Sequence, residues 1–205
     1  MHKFYNLIKL NTFMLMVGLI IWYSWSVLAF TALDTMDWKG SLVYLPHGVR
    51  VLGIVFFGWR VFPALILAEL IGPYFIEPQH YFDEWFVGGI VSIISVSMAV
   101  QLLKWVNVDR NISFFRKLNF TNYRFLLLTV IISALFNAIG SNIVVQFFMP
   151  DILVEPITIF RFFIGDTLGA IVFFLFLTLM FTTLSEFGLI DLNKRSKKIT
   201  VDIDK

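Results

Sequence analysis

The sequence predicts an all-α integral membrane protein, a bundle of about six transmembrane helices with both termini cytoplasmic. Three observations carry this. First, of 205 residues 59% are hydrophobic and only 15% charged, where soluble domains are about half apolar and about a quarter charged; the mean hydropathy is +0.83. Second, apolar runs of membrane-spanning length recur along the whole chain. Third, basic residues fall in alternate loops. The aromatic content is high, with 24 Phe. Without cysteine there is no disulfide, thiolate metal site or thiol nucleophile.

A helical span needs roughly 20 apolar residues, within about 17–25. The runs at 12–33, 43–58, 61–76, 86–106, 124–149 and 157–184 qualify. The first is longer than a signal-peptide core and has no small-x-small cleavage site, so it is a permanent span. The second and third are short and separated only by "GWR"; they are either two spans or one re-entrant hairpin. Pro46 and Pro63 fall in the first turns of their segments, where a missing N–H costs nothing. In the fourth, Gly88, Ser92, Ser95 and Ala99 form a small-residue stripe suited to close helix packing. The chain thus divides into an N-terminal segment 1–11, a single membrane domain 12–184 and a basic tail 185–205.

Charge sets the orientation. With the N-terminus inside, all of the 16 Lys and Arg residues except Lys39, Arg50 and Arg161 lie in cytoplasmic segments, and the outer loops are acidic. This is the positive-inside pattern of a multi-pass protein in the inner membrane of a bacterium. It requires that 43–76 enter and leave from the same side.

Ionisable groups inside spans are expensive and default to functional sites or mutual pairs. Arg50, Glu69, Arg161 and Asp166 form a neutral set within the predicted spans, and the fifth span adds Asn137 and Asn142. Two readings fit: Arg50 and Arg161 pair with Glu69 and Asp166 to lock the bundle, or the six residues line a polar pocket open to the outside. In the second, helix N-termini and arginines at the outer side suit a small anionic or zwitterionic ligand. Ser133, Asn137 and Ser141 share one helix face. His47 reads as an isolated loop histidine. "GDTLG" at 165–169 is no phosphate loop, since it lies inside a span and lacks the lysine; its glycines admit a neighbouring backbone. No catalytic nucleophile–base pair, metal cluster or cofactor motif is visible, so the expectation is a non-enzyme without cofactors. Nucleic acid is not an expected partner: the basic loop 104–124 and tail 194–198 are topology determinants facing anionic lipid.

Two stretches carry a resemblance. "LPHGVRVLGIVFFGWRVFPALILAELIG" contains a Pro-x-Gly entry, an apolar helix and a Gly-x-Arg followed by Pro, at Pro46, Gly48, Gly58, Arg60 and Pro63; "FFIGDTLGAIVFF" contains Gly165, Asp166 and Gly169. Both resemble the first class of MASE-type membrane-associated sensor domains. That resemblance implies a sensory membrane module. With no output module after "NKRSKKITVDIDK", it implies signalling through a separate cytoplasmic partner. The other class of function compatible with the residues is a small substrate-binding component of a transporter.

Overall fold

The computed structural model describes residues 2–32, 42–75, 86–106, 120–148 and 155–188. Within them every regular element is helical: α1 (His2–Ala32), α2 (Pro46–Phe57), α3 (Phe62–Ile71), α4 (Phe86–Trp105), α5 (Phe120–Phe148) and α6 (Pro156–Glu186). Short 3₁₀ turns, Gly58–Val61 and Gly72–Phe75, flank α3. Five helical segments are long and apolar enough to cross a membrane, and Pro46–Phe75 is one of them. The all-helical membrane bundle expected from the sequence is therefore present. α1 runs unbroken from His2; the tail from 189 onward lies outside the described residues.

Pro46–Phe75 is not one straight rod. Over the 19 residues separating Arg50 from Glu69, a straight helix would rise about 28 Å, yet their side chains are hydrogen-bonded. The chain reverses at Gly58, whose φ of 63° lies in the left-handed region that favours glycine. Pro63 then starts α3 within its first two positions, and Pro46 does the same for α2. The limbs lie side by side along α1. At the tip, the Asn11 amide donates to the Arg60 carbonyl (2.9 Å) and accepts from the Ala64 N–H (3.1 Å). At the mouth, Tyr44 meets the Trp22 ring edge-on (5.6 Å) and Gly72 lies against the same ring. Asn11 and Trp22 are about 16 Å apart along α1, about half of a 30 Å hydrocarbon core.

The outside of the bundle is apolar and its centre polar, the inverse of a soluble fold. Phe13, Met16, Ile20, Leu135, Leu175 and Leu179 face outward, while Arg50, Glu69, Ser92, Ser133, Asn137 and Asp166 are buried. The hairpin tip sits at an end of the bundle marked by exposed Lys9, Trp59, Arg60, Trp105 and Arg124. Mixed aromatic and basic side chains of this kind mark a membrane–water interface. Among the described residues the opposite end carries one basic side chain, Arg161. Trp22 and Tyr44 lie deep in the bundle, about 16 Å along α1 from the contacts at that tip.

α2 is the central helix. It packs against α1, α3, α4, α5 and α6, and its first six residues, Pro46–Val51, are all buried. It begins inside the bundle. The segment Leu42–Leu45 is not helical; it threads between α1 and α6, where the Trp25 indole donates to the Val43 carbonyl (2.6 Å) and the Tyr44 N–H donates to the Gly165 carbonyl (2.9 Å). Irregular backbone at this depth survives only where protein or water satisfies it, and these two bonds do so. A side chain at Gly169 would overlap the Tyr44 backbone, so the expectation that the glycines of 165–169 admit a neighbouring chain is met.

In α4, Ser92, Ser95 and Ala99 of the stripe are buried, but Gly88 is open; its neighbour Gly89 takes the close contact, against the Glu69 side chain.

Candidate functional site

The polar side chains gather around the first two turns of α2, in two groups. The first centres on Arg50. Its Nε donates to Glu69 Oε1 (2.7 Å) and its Nη2 pairs with Glu69 Oε2, making a two-pronged ion pair between the hairpin limbs. Nη1 donates to Ser92 Oγ on α4. Nη2 also donates to the Tyr44 hydroxyl (2.8 Å), while the guanidinium lies 5.0 Å from the Tyr44 ring centroid. The Trp22 indole completes the carboxylate shell at 3.4 Å from Oε1. Planar fork-to-carboxylate pairing is the geometry in which Arg outperforms Lys. It matters here because an unpaired charge at the bilayer centre costs roughly 3 kcal/mol on insertion scales.

The second group lies toward α5 and α6. The Asn137 amide donates to Asp166 Oδ2 (2.6 Å), and Ser141 donates to Asn137 Oδ1 (2.8 Å). His47, fully buried, places Nε2 3.0 Å from Ser133 Oγ, while its Nδ1 stands 3.7 Å from Asp166 Oδ2. That separation is too long for a hydrogen bond. Among the described residues, His47 Nδ1 and Thr167 Oγ1 are the buried side-chain polar atoms without a partner. The two groups meet through α2 itself: His47 and Arg50 are one turn apart, and Tyr44 touches both Arg50 and Gly165, next to Asp166.

Four of the six predicted pocket residues, Arg50, Glu69, Asn137 and Asp166, come together in this way. Two do not. Asn142 is buried, but its amide donates to the Ala138 carbonyl of its own helix (2.6 Å); a local i−4 acceptor satisfies it. Arg161 is exposed, because the first turn and a half of α6, with Ile157 and Phe160, stands clear of the packed region. Arg161 is therefore no wall of the site and no partner of Asp166. The pairing is Arg50 with Glu69, whereas Asp166 is held by Asn137. Because Glu69 neutralises Arg50, the described residues leave no free cation here to draw an anion. Sequence reasoning missed Tyr44, Trp22, Ser92 and above all His47. Ser133, Asn137 and Ser141 were visible as one helix face, and all three join the network.

Motif residues take structural posts. Pro46 and Pro63 start helices, Gly58 makes the reversal, Arg60 sits exposed at the tip, and Gly48 lies against Phe173. Among the described residues no group of three or more acidic or histidine side chains could hold a metal ion. The chain matches no known protein-family model, and no curated protein or solved structure is significantly similar to it.

Proposed function

We propose that this chain is a sensory membrane module in which α2 and the polar groups around it bind a small solute from the outer side. The observation that supports this most directly is the start of α2 inside the bundle, at the level where Arg50, Glu69, Asn137, Asp166 and His47 converge. A bundle held only by packing needs no ionisable groups there, and intramembrane ionisable residues mark functional sites by default. Counting the non-helical entry and the 3₁₀ turns, each hairpin limb reaches about 30 Å. The topology is then six crossings with both termini cytoplasmic and the basic tip inside. The Pro46–Pro63 and Gly165–Gly169 motifs, which resemble the first class of MASE-type sensor domains, fall on the hairpin and on the helix face that grips it. A solute that shifts the start of α2 would shift Tyr44 against α6, and α6 would carry the movement about 30 Å to Glu186 and on to a cytoplasmic partner.

Two measurements test this. The cysteine-free chain allows single cysteines without background. In intact cells a membrane-impermeant maleimide is expected to label Leu42→Cys and to leave Trp59→Cys unlabelled until the cells are opened; the reverse pattern overturns the orientation. For function, spin labels at Leu42→Cys and Ser185→Cys report the distance along α6. A panel of amino acids, dicarboxylates and sugar phosphates is titrated in lipid nanodiscs. At least one class is expected to change that distance and to raise the melting temperature, by up to about 2.7 kcal/mol of stabilisation at a hundred times Kd. If no class does either, the sensory reading fails.

The broken helix favours a second reading, since discontinuous helices near the midplane also build transporter sites. Uptake of a panel member into sealed vesicles, without label movement, would select it.

A further inference from the structure

The buried charges around α2 do not balance. Arg50 and Glu69 cancel, leaving Asp166, so with Asp166 ionised and His47 neutral the described buried set would carry one net negative charge. The hydrogen bonds show where a compensating positive charge fits. Ser133 has one hydroxyl proton, and it donates to the Val130 carbonyl (3.1 Å). With that bond made, Ser133 Oγ accepts from His47 Nε2, 3.0 Å away, in the tautomer that carries the ring proton on Nε2. His47 Nδ1 is left as a bare lone pair. It is fully buried, has no partner, and faces a carboxylate oxygen, Asp166 Oδ2, across 3.7 Å. Two acceptors so placed repel unless something positive lies between them.

We infer that His47 Nδ1 and Asp166 Oδ2 form a binding site for a single proton, shared between ring and carboxyl, so that proton occupancy sets how closely the start of α2 is drawn to α6. The step is simple in balance. A hydronium ion from the aqueous side gives up one proton and leaves water. The new N–H or O–H bond then donates to the facing atom, and the 3.7 Å gap closes to a charge-assisted hydrogen bond of about 2.7–2.9 Å. The charged and titratable groups around the pair come from few elements. Arg50 is on α2 itself, Glu69 comes from α3, and the Tyr44 phenol comes from the entering segment. Among the described residues, the buried polar side chains of α1, α4 and α5 are uncharged, among them Trp22, Ser92, Ser133 and Asn137. The geometry favours the proton over a metal cation, because Asn137 and Ser133 are already committed to hydrogen bonds and the gap offers one oxygen and one nitrogen.

The inference deepens the sensory reading and rests on the same site, but its test is separate. His2→Gln and His80→Gln leave His47 as the only histidine of the full chain. In lipid nanodiscs, ¹⁵N NMR then reads the ring's protonation, and infrared difference spectra read the Asp166 carboxyl. Near neutral pH, either a doubly protonated ring or an acid carbonyl band is expected, and it disappears as pH rises. With Asp166→Asn the band is lost and the ring loses its proton at lower pH. Should that variant fail to fold, His47→Gln is expected to displace the pH at which the band disappears by at least about tenfold in proton concentration. A neutral ring facing an ionised carboxylate throughout about pH 5–8 overturns the inference, and so does a signature indifferent to both substitutions. Exchanging choline for sodium at constant pH is expected to change nothing; loss of the signature in sodium would assign the site to a metal cation and overturn the proton. The Leu42–Ser185 spin-label distance separates the two claims. If the proton is bound and the distance responds to pH but to no solute, the sensory reading falls and the proton site stands; if the distance responds to neither, the link between proton occupancy and α2 falls as well. If solutes move the labels while no proton is found, the converse holds.

Discussion

Replacing Arg50 by Gln is expected to destabilise the bundle by about 3–5 kcal/mol, the loss typical of breaking a buried ion pair from one side. The substitution removes the cation that neutralises Glu69 and leaves that carboxylate buried without its ion-pair partner. It also removes donors to Ser92 and Tyr44, and thus the link between α2, α3, α4 and the entering segment. The opposite single change should cost less. Glu69→Gln leaves Arg50 its bonds to Ser92 and Tyr44, so a loss of about 2 kcal/mol, that of a charged hydrogen bond, is expected. The double change Arg50→Gln with Glu69→Gln removes both charges together and should be more stable than Arg50→Gln alone. Equilibrium unfolding in mixed micelles measures the whole cycle. If Arg50→Gln costs no more than Glu69→Gln, the buried charge count does not govern stability. If the double change adds the two losses, the residues are not coupled.

Much of this arrangement was legible in the residues, for identifiable reasons. Span lengths and the loop charges follow from the thickness and polarity of a bilayer. The reversal at "GWR" was legible because a glycine and a nearby proline leave few backbone options, and the contact of Arg50 with Glu69 sets the two segments side by side, as both two spans and a re-entrant hairpin require. The 165–169 glycines were legible because small residues at i and i+4 on one helix face serve close approach. What failed was depth. Counting residues from a predicted helix start assumes that the helix begins at the membrane edge. α2 does not: it starts inside the bundle, because Trp22, Trp25, Gly165 and Gly169 hold Leu42–Leu45 as non-helical chain. An apolar, extended entry cannot be told from a first helical turn by composition. His47 therefore read as a loop residue when it lies at the centre. The error has the opposite sign in α6, whose first turns project beyond the packed bundle and take Arg161 with them. Asn142 was lost for a third reason, since its own helix offers an acceptor that spacing along the sequence does not reveal.

Gly169→Ala is expected to be among the most damaging single-methyl additions in the chain. The new Cβ would overlap the N, C and O atoms of Tyr44, and backbone has no rotamer by which to step aside. Over-packing alone costs about 1–3 kcal/mol. Here the displaced backbone also carries the N–H that donates to Gly165. Moving it would leave a donor unpaired at membrane depth, with a further penalty of roughly 1–3 kcal/mol. The same shift pulls Val43 from the Trp25 indole and lifts the start of α2 from α6. The control is Gly88→Ala on α4, where an added Cβ meets nothing and the better helix propensity of Ala should leave stability unchanged or slightly higher, by about 1 kcal/mol at most. The gap between the two variants, about 3 kcal/mol or more, is the measured quantity. It should be accompanied in Gly169→Ala by a lengthened Leu42–Ser185 spin-label distance, since the entering segment is what ties one label site to α6. Were Gly169→Ala as stable as Gly88→Ala with the distance unchanged, the segment before α2 could relax without cost. The start of α2 would then not be fixed to α6, and a shift at the polar site would have no route along that helix.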